Sequence, residues 1–469
     1  MKINRPTFFA FAFCCFLAQA GSVSATTTNV LLSIQTSVVA VAATNHPGQF
    51  TLASSPPVGN WPVAVTVADV NTDGWPDVIS ADYFGNTLTV LTNDGTGNFV
   101  LDETLPAGNS PDALVAGDLQ NNGHLDLICA NSGDNTLMVF TNDGRGFFAS
   151  NATYTVGSAP SAVTLVDVNS NGWLDVICAN AQDNTLTVLT NDGRGFFVSN
   201  ATYAVSADPV SVVAADVNGD GWPDVICANS LDNTLMVLTN NHSGAFGLAS
   251  TNVVGRTPQA VIAADVNDDG WPDLVSADAL DNTLTVLTNN GSGGFGLFAK
   301  LNVNHNGVGS DPYSVVAAYA HEHRHLDLIS VNLDDNTLTL LTNQVVRSGL
   351  TNTIVTGFGY YGTLNVGTRP VSIAAGDVNR DGWVDLITAN SADGTLSVLT
   401  NTPPGFFYVS GVVISWPTNG TGGFTLQQNA DLTTTNWTAV PDTPTVTNGM
   451  NTLELGPLTG NSFFRLEHP

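Results

Sequence analysis

The sequence predicts an all-β protein, a seven-bladed β-propeller followed by a small β-sandwich-like C-terminal domain. Three observations lead to this fold class. A nine-residue pattern, seen as Asp-Val-Asn-Gly-Asp-Gly-Trp-Pro-Asp at 216–224, occurs in six intact copies and one damaged copy. Four short apolar segments separated by turn residues accompany each copy. Residues typical of helix surfaces are scarce, with only four glutamates in the whole chain.

The spacing of the copies indicates a closed ring of repeats. Intact copies begin 49 residues apart, and a further intact copy and a damaged copy at 319–327 follow with steps of 54 and 58 residues. A fixed period of this length with four strands per unit is typical of a propeller, and seven copies imply seven blades. A linear stack is the weaker interpretation because no capping repeat is present. The intact copies begin at Asp69, Asp118, Asp167, Asp216, Asp265 and Asp377.

The third repeat shows the strands of one blade. A Gly-x-x-Pro turn at 157–160 leads into an inner strand at 162–166, and a second strand at 175–179 follows the nine-residue copy. A third strand covers 185–190, and an Asp-Gly hairpin signal precedes the fourth. The strands are apolar on both faces, so each sheet needs cover on both sides, as neighbouring blades of a propeller provide.

Closure of the ring requires one blade built from both ends of the chain. Residues 50–53 stand just where a fourth strand belongs, before the first Gly-x-x-Pro turn. Residues 405–407, however, copy the usual start of a fourth strand in the last repeat. The sequence leaves open which of these segments completes the last blade.

The chain divides into a signal peptide (1–25), an N-terminal segment (26–48), the propeller (49–408) and a C-terminal β module (409–469). Lys2 and Arg5, an apolar run and a small-residue site at 23–25 form the signal. We therefore expect a secreted, extracellular, periplasmic or cell-surface protein. No other apolar run approaches the roughly 20 residues that span a membrane. Residues 30–41 are either an extra strand or a tether.

Charge and cysteine usage narrow the classes of partner. Lys and Arg total 11 against 40 acidic residues, for a formal charge of -29, so we expect no nucleic-acid partner. Cys129, Cys178 and Cys227 remain after the signal and occupy one repeat position. An odd set at equivalent positions is a poor disulfide framework, and we interpret all three as core side chains.

The intact copies have the chemistry of calcium sites. Carboxylates at positions 1, 5 and 9, an amide at 3 and a glycine at 6 place hard oxygens around one point. With the carbonyl of position 7, they supply about five or six of the 6 to 8 oxygens that Ca²⁺ takes. A metal-free Asp/Asn/Gly turn is the alternative, which six copies in register make the weaker one. The predicted side-chain ligands are Asp69, Asn71, Asp73, Asp77, Asp118, Asn122, Asp126, Asp167, Asn169, Asn171, Asp175, Asp216, Asn218, Asp220, Asp224, Asp265, Asn267, Asp269, Asp273, Asp377, Asn379, Asp381 and Asp385.

Two kinds of copy depart from the full pattern. Those at 118–126 and 167–175 keep two carboxylates among these positions, which predicts weaker calcium binding. The damaged copy contains His321, His323 and His325, with Glu322 and Arg324 between them. Clustered imidazoles can bind Zn²⁺ or Cu²⁺. The favoured alternative is that Arg324 replaces the lost cation by pairing with Asp327 or Glu322.

The face opposite the acidic loops carries the candidate ligand-binding residues. Each second strand ends in Asp or Asn, from Asp82 in the first repeat to Asn390 in the last. These side chains either form a ring that bonds sugar hydroxyls or a peptide, or cap their own turns, and capping is the commoner role. Aromatic and charged residues beside them are the predicted ligand contacts: Trp61, Tyr83, Phe84, Arg256, Asp278, Tyr313 and Arg369.

The repeat motif, Asp-Val-Asn-x-Asp-Gly-Trp-Pro-Asp followed by Asn-Thr-Leu-x-Val-Leu-Thr-Asn, resembles the FG-GAP and VCBS-type repeats of integrin α-chain propellers and secreted bacterial proteins. The resemblance covers 49–407. It implies that the loop aspartates bind calcium on one face, that the other face binds partners, and that the sixth blade is metal-free. The tail is similar to C-terminal β modules of secreted bacterial proteins, which fixes no activity.

These observations favour a secreted, calcium-binding, non-catalytic adhesion module for an extracellular glycan or protein. We assign no catalytic residue. The alternative is a carbohydrate-active enzyme, a polysaccharide lyase or hydrolase, with an acid–base pair among the aspartates. A purely structural surface protein would have no saturable ligand. The sequence leaves the oligomeric state open.

Overall fold

The structure is a computed structural model, and it describes residues 33–36, 49–95, 97–304, 310–321, 325–343, 346–347, 354–355, 357–402, 412–417, 425–429, 438–440, 443–447, 450–455 and 463–467. Within these ranges every regular element is a strand except a short 3-10 turn at Ala279–Asp281. A search of the same ranges found no helix with the length and apolar character of a membrane span. The predicted signal peptide lies outside the described residues.

Seven four-stranded antiparallel sheets form the blades of a propeller, which confirms the predicted fold class. In the sixth blade, a two-stranded hairpin of Val346–Arg347 and Ile354–Val355 lies between the third and fourth strands. From first to fourth strand, the blades are Pro62–Ala68, Asp77–Asp82, Thr87–Asn93 and Phe99–Pro106 (blade one); Pro111–Gly117, Asp126–Asn131, Thr136–Asn142 and Phe148–Thr155 (two); Pro160–Val166, Asp175–Asn180, Thr185–Asn191 and Phe197–Ala204 (three); Pro209–Ala215, Asp224–Asn229, Thr234–Asn240 and Phe246–Val253 (four); Pro258–Ala264, Asp273–Asp278, Thr283–Asn289 and Phe295–Asn302 (five); Pro312–Ala318, Asp327–Asn332, Thr337–Asn343 and Phe358–Asn365 (six); Pro370–Gly376, Asp385–Asn390, Thr395–Thr402 and Gln49–Ser54 (seven).

The ring closes through the N-terminal strand. Gln49–Ser54 pairs antiparallel with Thr395–Thr402, so that Phe50 stands opposite Asn401. This strand is the fourth strand of blade seven, which decides between the two segments that the sequence left open. Residues 405–407 lie outside the described residues. The first strands of neighbouring blades contact one another all the way round, including Pro370–Gly376 with Pro62–Ala68, and therefore lie at the ring's centre.

The core lies between blades, as the strands that are apolar on both faces predicted. One cluster joins Ile79 and Leu88 of blade one to Leu127 and Phe140 of blade two, all buried. Every residue of each second strand is buried as well. The three cysteines of the second strands are free and buried, in agreement with the prediction that they are core side chains.

In the Gly-x-x-Pro turns, the glycine lies close to the side chain that ends the second strand of the same blade. A Cβ added to Gly255 would lie 2.5 Å from the side chain of Asp278, which ends the second strand of the same blade. A Cβ on Gly157 would lie 2.6 Å from Asn180 in the same way. Glycine at this position lets the turn rest on the end of the second strand.

The described strands near the two chain ends form a second compact unit. Ser33–Thr36 pairs with Val412–Pro417, and Met450–Leu455 and then Thr445–Thr447 complete that four-stranded sheet. Thr438–Ala439, Thr425–Asn429 and Phe463–Glu467 form a three-stranded sheet. Ser33–Thr36 falls within 30–41, so part of that segment is a strand, one of the two alternatives.

Candidate functional site

The nine-residue copies connect the first strand to the second in every blade and lie on one side of the ring, together with the hairpins between the third and fourth strands. We name this side the loop face. The side that carries the Gly-x-x-Pro turns and the turns between the second and third strands is the opposite face. This arrangement follows from the antiparallel order of the strands.

Each intact loop folds around its own carboxylate and amide oxygens. In blade four, Asp216 accepts hydrogen bonds from the main-chain N–H groups of Asp220 (3.2 Å) and Gly221 (2.8 Å). The N–H of Asp220 also donates to Asn218 Oδ1 (2.9 Å), and that of Trp222 donates to Asp220 Oδ1 (2.9 Å). Gly221 has a φ of 85°, a conformation that glycine adopts without strain. The pattern therefore points side-chain oxygens at positions 1, 3 and 5 towards the inside of one turn.

The ninth-position aspartate anchors the loop to the blade. Asp224 accepts hydrogen bonds from the N–H groups of Val217 (3.2 Å) and Asn240 (2.9 Å) and is fully buried. Hydrogen bonds of this kind lower the pKa of the equivalent carboxyl groups in other blades, but burial raises it by more. The resulting pKa is about 6 for Asp77 and about 7 for Asp385. Neighbouring loop carboxylates raise both values further. Negative charge at this position is thus costly without a compensating positive charge.

The first loop shows how a cation fits this donor set. Asp69 Oδ1 is buried and has no hydrogen-bond partner, although Asp69 Oδ2 accepts the N–H of Gly74 at 2.9 Å. Among the described residues, no three or more His, Cys, Asp or Glu side chains form a metal cluster. A cation here would therefore rely on amide and main-chain oxygens besides carboxylates. Such mixed oxygen sets suit Ca²⁺ and not the softer metals.

Blade four adds an imidazole to its loop. His242 Nε2 lies 2.9 Å from Asp220 Oδ2, and its ring stacks on Trp222 at 5.5 Å and 12°. His242 has a φ of 68° at a hairpin position where blades one, two, three and five have glycine. The fifth-position carboxylate of this loop therefore has a second partner.

The damaged loop keeps the anchoring aspartate at position 9 but has no carboxylate at positions 1 and 5. Asp327 accepts the N–H group of Asn343 (2.8 Å), as its counterparts do in the other blades, and that of His321 (2.7 Å), which stands one position later in the loop than the donor of the other blades. The His321 ring packs on Tyr361 at 4.8 Å, whereas His325 Nδ1 bonds to Asp268 of the fifth loop. These two histidines thus have separate partners and do not converge. His323, Glu322 and Arg324, and with them the predicted pairing of Arg324, lie outside the described residues.

An asparagine that joins the blades was missed from the sequence. The side chain of Asn240 donates to Val168 O in the preceding blade (2.8 Å) and to Pro223 O in its own loop (3.2 Å). The only sequence signal is the Thr-Asn pair that ends every third strand, which looks like an ordinary turn. The same link to the preceding blade is made by Asn93, Asn142, Asn191, Asn240, Asn289, Asn343 and Asn401.

Two of the seventh-position tryptophans, Trp75 and Trp271, contact the loop of the preceding blade. The guanidinium of Arg380 in blade seven lies 4.8 Å from the centre of the Trp75 ring in blade one. A Cβ on Gly219 in blade four would lie 2.4 Å from the Trp271 ring of blade five. These contacts link the loops of blades seven and one and of blades four and five.

On the opposite face, the polar residues that end the second strands cap their own turns. Asn180 Nδ2 donates to the hydroxyls of Thr185 (3.0 Å) and Thr187 (2.9 Å) and is fully buried. Asp278 is also buried and accepts hydrogen bonds from Ser276 (2.8 Å) and from two threonines. The capping interpretation is supported, and the prediction that Asp278 contacts a ligand is not.

The other predicted ligand contacts are distributed over blades one, five, six and seven. Trp61, Tyr83 and Phe84 cluster on blade one, with ring centres 5.3 Å apart for Trp61 and Phe84 and 5.1 Å apart for Tyr83 and Phe84. Arg256 on blade five is paired with Asp281 at 2.5 Å. Tyr313 is the second residue of the first strand of blade six, and Arg369 immediately precedes the first strand of blade seven. Burial and nearby aspartates raise the pKa of the Tyr313 phenol, and Arg369 opposes them.

The fold and its acidic loops define a repeat propeller with oxygen-rich loops on one face. The FG-GAP-like repeat family model matches four overlapping stretches, residues 69–129, 118–178, 167–227 and 216–276. The chain is an FG-GAP repeat β-propeller protein. No curated protein matches the sequence.

Solved structures share the fold at low sequence identity. Two crystal structures of BBS1N in complex with ARL6DN, one soaked with lead and one with mercury, are 9% and 10% identical to this chain, with TM-scores of 0.54 and 0.56. The match to the lead-soaked structure covers 75% of this chain and 97% of the matched chain. The match to the mercury-soaked structure covers 77% and 100%. A protein from Lactobacillus plantarum is 14% identical over 85% of this chain and 99% of its own, with a TM-score of 0.48. For the two BBS1N complexes, identities this low show a common fold alone.

Proposed function

We propose that this protein is a secreted, non-catalytic propeller whose six intact loops bind calcium and whose opposite face binds an extracellular glycan or protein. The buried, unpartnered Oδ1 of Asp69 carries the calcium part of the proposal. A carboxylate oxygen without a donor in a buried position is costly, and a divalent cation offsets that cost.

The loop residues have distinct tasks in this proposal. The side chains of positions 1, 3, 5 and 9 and the carbonyl of position 7 hold the cation. In blade four these side chains belong to Asp216, Asn218, Asp220 and Asp224. Because Asp224 also bonds to Asn240, a cation bound here would stabilise the link to the preceding blade as well. Bound calcium would thus stabilise the ring and not only the loop.

The opposite face combines a fixed backbone with variable side chains, which supports a binding role. In every blade, the residue before the proline of the first strand has a φ between 50° and 62°. Its carbonyl accepts a hydrogen bond from the turn between the second and third strands, as Trp61 O does from Tyr83 N–H at 2.8 Å. Six types of side chain occupy this shared frame in the seven blades: Trp61, Ser110, Ala159, Asp208, Thr257, Asp311 and Arg369.

The structure offers the enzyme alternative little support. The two carboxylates that end second strands, Asp82 and Asp278, are buried and hydrogen-bonded to hydroxyl groups. Burial raises the pKa of both groups. Neither presents an exposed carboxylate to a substrate, so the non-catalytic function is the one that we retain.

Calcium titration of the chelator-treated full chain tests the proposal. Calorimetry should detect six sites, with the loops of blades two and three the weakest, and calcium should raise the Tm because each site binds only the folded form. Asp216→Ala should reduce the number of sites by one and the Tm shift with it. Asp102→Ala, an equal change of charge on the outer strand of blade one, should leave both unchanged.

A binding screen tests the other half. The full chain is applied to arrays of glycans and extracellular proteins, with calcium and with chelator. We expect a saturable ligand whose binding is weaker in chelator. Absence of calcium uptake at millimolar concentration, or of any saturable ligand, would contradict the proposal. A fractionated culture, probed for protein that has lost its first 25 residues, tests secretion.

A further inference from the structure

We propose that Trp61, Tyr83 and Phe84 form a platform on which a neutral polysaccharide stacks a pyranose ring. We name these three residues the blade-one platform. The inference rests on the proposed function and names the ligand of the opposite face.

The backbone holds the three rings in a fixed cluster. Tyr83 N–H donates to Trp61 O at 2.8 Å, and the N–H groups of Phe84 and Gly85 both donate to Asn60 O at 3.1 Å. Phe84 contacts both other rings, tilted 54° to Trp61 and 81° to Tyr83. Even so, 58% of Phe84 is exposed. The platform is therefore built before any ligand arrives, which lowers the entropy lost on binding.

Only blade one has aromatic residues at these positions. The same two turn hydrogen bonds recur in the other blades, which fixes the equivalent residues. Gly85 of blade one also replaces an aspartate of the other six blades, which accepts a hydrogen bond from the neighbouring turn in each of them. Blade one thus lacks this turn carboxylate beside its rings. The residues equivalent to Phe84 are Gly133, Gln182, Leu231, Leu280, Asp334 and Ala392.

The chemistry of the platform matches a sugar ring. A pyranose has an apolar C–H face and hydroxyl groups around its edge, so it needs a flat apolar surface bordered by hydrogen-bonding groups. The Asn60 amide, the Tyr83 hydroxyl and the Trp61 indole N–H have no hydrogen-bond partner within the described part of the chain. These three residues all contact Phe84 through their rings or main chain, and their polar groups are available to sugar hydroxyls.

Charge and size favour a neutral glycan over other occupants. A formal net charge of -29 repels polyanions such as uronate polymers. In the two neighbouring blades, the residues equivalent to Phe84 are Gly133 and Ala392, so small side chains flank the platform. Three rings between small residues offer less than the roughly 800 Å² that each partner of a stable protein complex buries. A narrow, uncharged chain suits this surface.

Affinity electrophoresis of the full chain in calcium tests the inference. The gels contain neutral β-glucan, xylan or galactomannan, or anionic alginate or pectate. We expect at least one neutral polysaccharide to retard the protein. Phe84→Ala should weaken this retardation about tenfold, the effect of about 1.4 kcal/mol of lost stacking. Leu280→Ala is the matched control, since Leu280 occupies the same turn position and is 62% exposed. It should bind like the parent.

Other outcomes separate this inference from the proposed function. Retardation by anionic polymers alone, or neutral binding that Phe84→Ala leaves intact, would overturn the platform. A saturable protein ligand, found without any glycan binding, would also overturn it but would leave the proposed function standing. The Tm of each variant in calcium shows whether it is folded. If Phe84→Ala does not fold, Tyr83→Phe, which removes only the hydroxyl, should weaken neutral-glycan binding, and unchanged binding would count against the inference.

Discussion

The side-chain amide of Asn240 donates a hydrogen bond to the carbonyl oxygen of Val168, 2.8 Å away and one blade earlier in the ring. The main-chain N–H of the same residue bonds to Asp224, the anchor of the candidate calcium loop in its own blade. One residue thus connects the loops of two blades. Since all seven blades repeat this link, the loops form a continuous circle of contacts in the described structure.

Removal of one such link should destabilise the propeller strongly. Asn240→Ala leaves the carbonyl groups of Val168 and Pro223 buried without their donor, so we expect a loss of about 2 to 4 kcal/mol in the free energy of unfolding. Urea denaturation measures it. Gln182→Ala, a change to an exposed side chain on the opposite face, is the control and should cost almost nothing. A loss for Asn240→Ala as small as that of the control would show that the links do not hold the ring.

The glycine of the Gly-x-x-Pro turn should not tolerate a methyl group. Gly255→Ala places a Cβ 2.5 Å from the Asp278 side chain, and we expect it to cost about 1 to 3 kcal/mol of stability. Gly296→Ala in the same blade is the control, because a Cβ there meets no atom within 4 Å. That variant should be neutral or slightly stabilised, since alanine restricts the unfolded chain. Thermal unfolding of the two variants side by side decides the point.

Closure of the ring should depend on the buried face of the N-terminal strand. Phe50 is 6% exposed and packs with Leu399 in the core of blades six and seven, whereas Leu52 of the same strand is 56% exposed. Phe50→Ala should lower the free energy of unfolding by about 3 kcal/mol, and Leu52→Ala should barely change it. Equal effects in denaturant titrations would argue that Gln49–Ser54 does not form the last strand of blade seven.

A third carboxylate should strengthen the loop of blade three. Asn171 stands at the fifth position, where the loops of blades one, four, five and seven have aspartate. Asn171→Asp should tighten calcium binding at this site roughly tenfold, because ligand charge sets affinity at such sites. Asn184→Asp adds the same charge on the opposite face and is the control. Calorimetric titration with unchanged affinities in both variants would refute the assignment of Asn171 as a ligand.

Stability without calcium should fall as pH rises. Burial raises the pKa of Asp77, Asp175 and Asp273 from 3.8 to about 6, and that of Asp385 to about 7. Between about pH 4 and pH 7 the folded protein therefore binds more protons at these carboxyls than the unfolded chain, and the unfolding free energy decreases across this window. Above pH 7 the effect levels off.

The Tm in chelator, followed from about pH 4.5 to pH 8, checks this sign and should drop by several degrees. Calcium should flatten the profile because a bound cation favours the charged carboxylates. Asp134 and Asp281, whose pKa values are lowered by hydrogen bonds, act in the opposite sense but only below about pH 4. A Tm in chelator that rises from pH 5 to pH 7 would contradict the burial of these groups.

The fold could be predicted from the sequence because each repeat contains the same turn residues and glycines at the same positions. Positions such as Gly221, with its φ of 85°, favour glycine, and these turns recur at a fixed spacing, so the period, the strand order and the number of blades can be predicted from the sequence. The ends of the chain were harder to assign. Residues 405–407 copy the start of a fourth strand, and only the pairing of Phe50 with Asn401 shows which segment holds that place.

The candidate site was predicted in part. Loop ligands could be named because side chains one or two residues apart are brought together by local geometry, as with Asn218 and Asp220. The burial of Asp278 was not predicted because burial is a tertiary property: the hydroxyls of Ser276 and Thr285 donate to its carboxylate. Asn240 went unnoticed for a similar reason, since its acceptor lies 72 residues away. The clustering of Trp61 with Phe84 likewise depends on the turn that holds them.

The pairing of Gln49–Ser54 with Thr395–Thr402 also determines when the propeller can close during translation. Gln49–Ser54 is translated before the other propeller strands. It has no partner strand until Thr395–Thr402 has been translated. During that interval blade seven cannot exist and blades one and six each lack a neighbour. A nascent or interrupted chain therefore exposes two apolar blade surfaces and a free strand edge, which are targets for chaperones and proteases, and protection arrives only with the final repeat.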